Sequence, residues 1–182
     1  MKLQNFPFVD VEVVTDFLSQ PTKLVFELAT EDNRKVYMSS ILPMSDDSAV
    51  VMVDKDKFIG FWQNSGQCLE LSRGDIQAWQ ADYKYRWAER GFSLGKENPV
   101  PLAIVSVGKK RTFNNYLKDK YYCSFINGIT RSLWLLVNDV KRFPVYVHDV
   151  DEARLLAWHA GVSYKSFYIG KFFRESLAVH CR

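Results

Sequence analysis

Hydrophobic and polar positions change their period near residue 74. Before it, alternation and β-branched content mark strands at TKLVFELA (22–29), RKVYMSS (34–40) and AVVMVD (49–54), with TEDN and PMSDDS supplying turn residues between them. KFIGFWQN (57–64) reads as a further strand, so the first third predicts an antiparallel meander. From Asp75 the apolar positions fall three or four apart. Ile76, Trp79, Tyr83 and Trp87 form one stripe in DIQAWQADYKYRWAERG, opened by Asp75 as a cap and closed at Gly91, which predicts a single amphipathic helix. Such a stripe is either core or a surface on which bases stack.

The remainder alternates. PVPLAIVSV (99–107) and KYYCSFI (120–126) read as strands around a basic loop, TRSLWLLVND (130–139) as a helix, FPVYVHD (143–149) as a strand and VDEARLLAWHAG (150–161) as a helix. The tail VSYKSFYIGKFFRESL reads as a strap or helix packed on the core. The fold class expected is α+β: an N-terminal antiparallel β extension (1–72) packed on a core (73–182) as one compact unit. A chain of 182 residues with 47% hydrophobic content is long enough for one good core.

Charge sharpens the division. Residues 1–72 hold six Lys and Arg against eleven Asp and Glu, a net of −5, while residues 73–182 hold eighteen against ten, a net of +8. The second part is therefore the one suited to an anionic partner. Asp10, Glu12 and Asp16 interrupt the N-terminal hydrophobics, and no run of 18 apolar residues occurs, which predicts a soluble, cytoplasmic protein with no membrane insertion. Cys68, Cys123 and Cys181, with His148, His159 and His180, form neither a disulfide framework nor a zinc pattern.

The chemistry concentrates in FINGITRSLWLL (125–136). At a strand-to-helix turn the first backbone N–H groups lack internal partners and carry partial positive charge, so an anion can sit there once Gly128 removes an obstructing Cβ. Thr130 offers a hydroxyl, Arg131 a charged fork for phosphate oxygens, and Asn127 a contact to a sugar or metal-bound water. The alternative is an ordinary turn with Thr130 as cap and Arg131 solvated. A second feature lies in SVGKKRTFNNYLKDKYY (106–122), where Lys109, Lys110, Arg111, Lys118 and Lys120 face Asp119 alone and interleave with Phe113, Tyr116, Tyr121 and Tyr122. Single-stranded DNA binding uses that mixture of charge and rings; a solvated hairpin with inward aromatics is the other reading.

Residues 95–149 resemble the ParB/sulfiredoxin-like superfamily. Gly95-Lys96-Glu97-Asn98-Pro99-Val100 matches its Gly-x-x-x-Pro-apolar segment, Gly128-Ile129-Thr130-Arg131 its turn, and RFPVYVHD (142–149) the strand that follows. More narrowly, AWQADYKYRWAERGF, NPVPLA, FINGITRSLWLL and FPVYV in that order are similar to plasmid fertility-inhibition factors over about residues 75–162. The resemblance implies an ATPase and DNase that stops conjugative plasmid or transferred DNA from leaving through type IV secretion. It implies ATP as nucleotide, with Mg2+ or another divalent metal, and single-stranded transfer DNA, the coupling protein or the relaxase as partners. By the same resemblance Gly95, Asn98, Asn127, Gly128, Thr130 and Arg131 bind nucleotide, and Glu97 with Arg131 serves catalysis, Glu97 activating water directly or through a metal. Glu97 as a plain surface charge, in a non-catalytic blocker, is the alternative. Ile129 stands where sulfiredoxins carry their nucleophilic Cys, which argues against sulfinic-acid reduction. The residues after the last matching helix are too few for the helix-turn-helix and dimerisation region of partition proteins, which argues against that role.

Overall fold

The computed structural model describes residues 10–16, 21–111 and 119–179. The chain opens with β1 (Asp10–Thr15), β2 (Pro21–Ala29), β3 (Lys35–Ser39) and β4 (Ala49–Asp54). β2 and β3 pair antiparallel, as the alternation predicts, and β1, a strand outside the predicted set, pairs antiparallel with β2. β4 does not continue them. All but the last of its residues are buried, AVVMV, and it lies between two later strands in a second sheet. A strand covered on both faces reads as a continuous apolar run.

The segment expected to be a fourth strand of the meander is a helix, α1 (Lys55–Gln63). Asp54 caps it by accepting from the Lys57 N–H at 3.2 Å, and Phe58, Phe61 and Trp62, three and four residues apart, turn inward. A short α2 (Leu69–Ser72) follows, then α3 (Ile76–Ala81) and α4 (Tyr85–Ser93). The single long helix predicted over 75–91 is thus two. Asp82 leaves the helical region at ψ 127° and its carboxylate accepts from the Lys84 N–H at 2.9 Å, a local turn that competes with the helix ladder. The break dissolves the aromatic stripe: Trp79 is 7% exposed, but Ile76 is 50%, Tyr83 76% and Trp87 76% exposed.

The remaining elements are β5 (Val100–Pro101), β6 (Ala103–Arg111), β7 (Asp119–Asn127), α5 (Ile129–Val137), β8 (Arg142–Val147), α6 (Val150–Ala160), β9 (Phe167–Tyr168) and α7 (Ile169–Val179). The two sheets run β1-β2-β3-β5 and β7-β6-β8-β4-β9. β5 lies parallel to β3, whereas β6 pairs antiparallel with β7 and parallel with β8. The stretch predicted as one strand over 99–107 therefore serves both sheets, changing from one to the other at Leu102, whose N–H donates to the Ser39 carbonyl at 2.9 Å.

A hydrophobic cluster joins the two sheets and the helices, including Phe26 and Met38 from the first sheet, Val51 and Val145 from the second, and Trp134 from α5. α5 is buried nearly all round, with Leu133, Trp134, Leu135 and Leu136 inside, as its unbroken apolar run requires. Phe92 of α4 stacks on Trp134 with centroids 4.1 Å apart. Four large apolar side chains, each contributing about 1.5–3 kcal/mol on burial, hold α5 and the turn before it rigidly in place.

Candidate functional site

Gly128 begins the site. Its φ is +98°, in the left-handed region, and a Cβ there would lie 2.8 Å from the Ala103 Cα and 2.8 Å from the Arg131 Nε. Its positive φ and the close packing of the turn on β6 are each sufficient to require a glycine here. It is also the N-cap residue of α5, where no side chain caps the helix. Thr130 is a first-turn residue and not the cap.

Arg131 projects back across the junction between the sheets. Its Nη1 donates to the Pro101 carbonyl at 2.7 Å and the Leu102 carbonyl at 3.3 Å, and its Nη2 donates to the Asn127 Oδ1 at 3.2 Å. Burial pulls its pKa below the ordinary arginine value. Arg131 is therefore neither solvated nor an unencumbered fork. It clamps α5 to the β5–β6 crossing, and of its Nη protons the second one on Nη2 is left for a ligand.

Two adjoining cavities meet at this clamp. One, of about 320 Å³, follows the turn from Phe125 to Arg131; the other, of about 310 Å³, runs from Thr130 and Arg131 to Asn98, Pro101 and Trp87, and Lys84 lines both. Lys84, Thr130 and Arg131 thus line both cavities, with Asn127 in the first and Asn98 in the second, beside the N-terminal turn of a nine-residue helix. The electrostatics favour an anion: two cations, the α5 dipole, and no carboxylate in either wall. Lys84 is the residue that pattern reading passed over: it lines both cavities with its ammonium 5.2 Å from the Tyr83 ring centroid, and Asp82, two positions earlier in ADYKY, is the available signal that the helix breaks there.

The Gly-x-x-x-Pro segment divides. Gly95 has φ +70° with open space around a Cβ position, so it serves the bend between α4 and β5. Asn98 lines a cavity wall. Glu97 is exposed and lines neither cavity. Among the described residues no group of three or more His, Cys, Asp or Glu could hold a metal ion. Cys123 is buried in β7 and burial pushes its thiol pKa up, which leaves it inert as a nucleophile.

The basic segment is not a loop where it is described. Lys109, Lys110 and Arg111 belong to β6, and Lys120 faces Lys110 across the β6–β7 ladder. Lys109 pairs with Asp119 at 3.2 Å, while Lys110 donates to the Ser65 carbonyl at 2.5 Å and lies 5.0 Å from the Tyr122 ring centroid. Lys118, Phe113 and Tyr116 lie outside the described residues. No described helix is long and apolar enough to cross a membrane.

The order of these elements and the turn that carries the clamp define a class. A family model for plasmid fertility inhibition factors matches residues 50–161, from β4 to the first residue after α6, and the chain belongs to that family. Among individual relatives, protein Osa of Shigella flexneri is 38% identical over 82 residues, which is 45% of this chain and 40% of that protein's length. The crystal structure of the oncogenic suppression activity protein, a plasmid fertility inhibition factor, as its gold(I) cyanide derivative, superposes with a TM-score of 0.73 at 24% identity. That superposition covers 97% of this chain and 87% of the other. It establishes the mixed α+β fold with two sheets.

Proposed function

We propose that the protein inhibits plasmid transfer as a nucleotide-binding factor, holding nucleotide phosphates at the α5 N-terminus and acting on DNA export through type IV secretion. The observation that carries this is that Lys84, Thr130 and Arg131 line two adjoining cavities at the α5 N-terminus, neither of them lined by a carboxylate. The second sheet with α5 then corresponds to a ParB/sulfiredoxin-like core, whose turn holds phosphates.

Two mechanisms would serve this function: phosphodiester hydrolysis, which needs a carboxylate or a metal at the reacting phosphorus, and occupancy of transfer DNA, a coupling protein or a relaxase, which needs binding alone. The ATPase and DNase reading retains one support: Glu97 immediately precedes Asn98, which does line the cavity. The test pairs two measurements on Glu97→Gln. Pure protein is incubated with ATP and single-stranded DNA, with and without divalent metal, and phosphate and fragments are measured; transfer frequency is measured in cells. Occupancy expects full transfer inhibition from a protein without turnover. Turnover that falls by about two decades in Glu97→Gln, together with transfer inhibition, would establish the hydrolase instead.

A further inference from the structure

We propose that Trp87 is the platform on which the base of the bound nucleotide stacks, so that one ligand spans the two cavities from the indole to the α5 N-terminus. The inference rests on the phosphate site above and adds the part of the ligand that decides its identity.

α4 treats its aromatic residues differently. Tyr85 and Phe92, one heptad apart, are buried, whereas Trp87 is left exposed in a cavity wall. On the same wall the next positions along the helix are Ala88 and Gly91, and a Cβ on Gly91 would already press on the Val100 Cγ2 at 3.3 Å. Ala88 and Gly91 are small, so beside the exposed indole this face of the helix carries little side-chain bulk. Pro99 and Pro101 also line this cavity, and Asn98 brings an amide with two donors and one acceptor, suited to the edge of a base.

Position and size select the ligand. The Trp87 cavity shares Lys84, Thr130 and Arg131 with the turn cavity, so the exposed indole and the cationic turn lie on adjoining cavities. At about 310 Å³ the Trp87 cavity lies in the range of small-molecule sites, which favours a mononucleotide over a DNA strand. Stacking tolerates any base, and the Asn98 amide supplies the discrimination.

The test uses the full chain and three probes: ATP, inorganic tripolyphosphate and a short single-stranded oligodeoxynucleotide. Trp62, Trp79 and Trp134 are buried, so in a Trp158→Phe background the exposed indole fluorescence belongs to Trp87. ATP is expected to quench it, and tripolyphosphate to bind by calorimetry without quenching. Trp87→Ala is expected to weaken ATP about 5- to 150-fold and leave tripolyphosphate unchanged, with Trp87→Phe between, because the residue touches solvent more than core. Equal ATP affinity in the parent and Trp87→Ala would overturn the base platform while tripolyphosphate binding keeps the phosphate site. Failure of both ATP and tripolyphosphate to bind would remove the phosphate site and the platform with it. Quenching by the oligonucleotide alone would overturn the mononucleotide and make Trp87 part of a DNA surface.

Discussion

Gly128→Ala separates packing from ligand clearance as the reason for the glycine at the head of α5. An alanine must hold φ near +98°, where a Cβ costs about 1–2 kcal/mol. Its methyl would also sit 2.8 Å from the Ala103 Cα and 2.9 Å from the Ala103 Cβ. Contacts that short force β6 or the turn to move, and overpacking of that kind costs about 1–3 kcal/mol. The sum is about 2–5 kcal/mol. For a chain of this size about 2–4 °C accompanies each kcal/mol, which places the melting temperature about 4–20 °C below the parent. The assay is thermal unfolding followed by circular dichroism, with urea unfolding as a check on the midpoint. Ser132→Ala is the control: its hydroxyl donates to the Gly128 carbonyl at 3.1 Å, a bond that the Ser132 backbone N–H duplicates at 3.1 Å, so it should cost about 1 kcal/mol or less. A Gly128→Ala protein that melts within a degree of the parent but has lost nucleotide affinity would refute the packing argument and restore ligand clearance as the reason for the glycine.

Arg131→Ala should lower nucleotide affinity by about one to two decades by calorimetry, from the loss of a charge-assisted contact of about 1.5–3 kcal/mol. Arg131→Lys should recover little of it, because an ammonium cannot hold the Pro101 and Leu102 carbonyls and the Asn127 amide at once. Phe92→Ala removes the ring stacked on Trp134 and should cost about 3–5 kcal/mol by denaturant unfolding; an effect under about 1 kcal/mol would show that α4 is not held by that stack. Lys141, and then Lys55 at 2.5 Å, hold the Asp139 carboxyl below its ordinary value of 3.8. Unfolded Asp139 takes up its proton at the ordinary value and folded Asp139 only at lower pH, so its contribution is complete above about 3.8 and is lost as pH falls through the folded value. Melting temperatures of the parent and Asp139→Asn should therefore differ at neutral pH and converge in acid. Ala at Lys109 and Lys110 should flatten the salt dependence of single-stranded DNA binding by up to about 1.4 log–log units, at about 0.7 for each phosphate no longer neutralised; an unchanged slope would take the β6–β7 hairpin out of DNA binding.

Much of this molecule is decided locally and is legible from the chain. The β2–β3 hairpin, β7, α5, β8 and α6 follow from apolar periods with turn residues between them, and Asp149 caps α6 through the Asp151 and Glu152 N–H groups. The strand-to-helix turn at Asn127–Arg131 is legible for the same reason, because a glycine between an apolar strand and an apolar helix leaves few alternatives. Family motifs in their order point to the fertility inhibition class without any coordinates.

Other features exist only because distant segments meet. KFIGFWQN carries an apolar pattern that fits strand or helix; capping by Asp54 and burial of Phe58 and Trp62 against Phe125 select the helix. PVPLAIVSV serves two sheets, because Ser39 holds Leu102 in the first while Val145 and Tyr146 receive Ala103 and Ile104 in the second. Trp87 sits in a stripe that periodicity assigns to one helix face, and a single Asx turn at Asp82 rotates it into a cavity wall beside Arg131. Arg131 itself reads as a free charge in sequence and becomes a clamp because two carbonyls from a strand about thirty residues earlier lie within reach. Local propensity selects elements from neighbours along the chain, whereas clamps, cavities and exposed rings depend on which elements pack together, and that free energy resides in contacts between residues far apart in sequence.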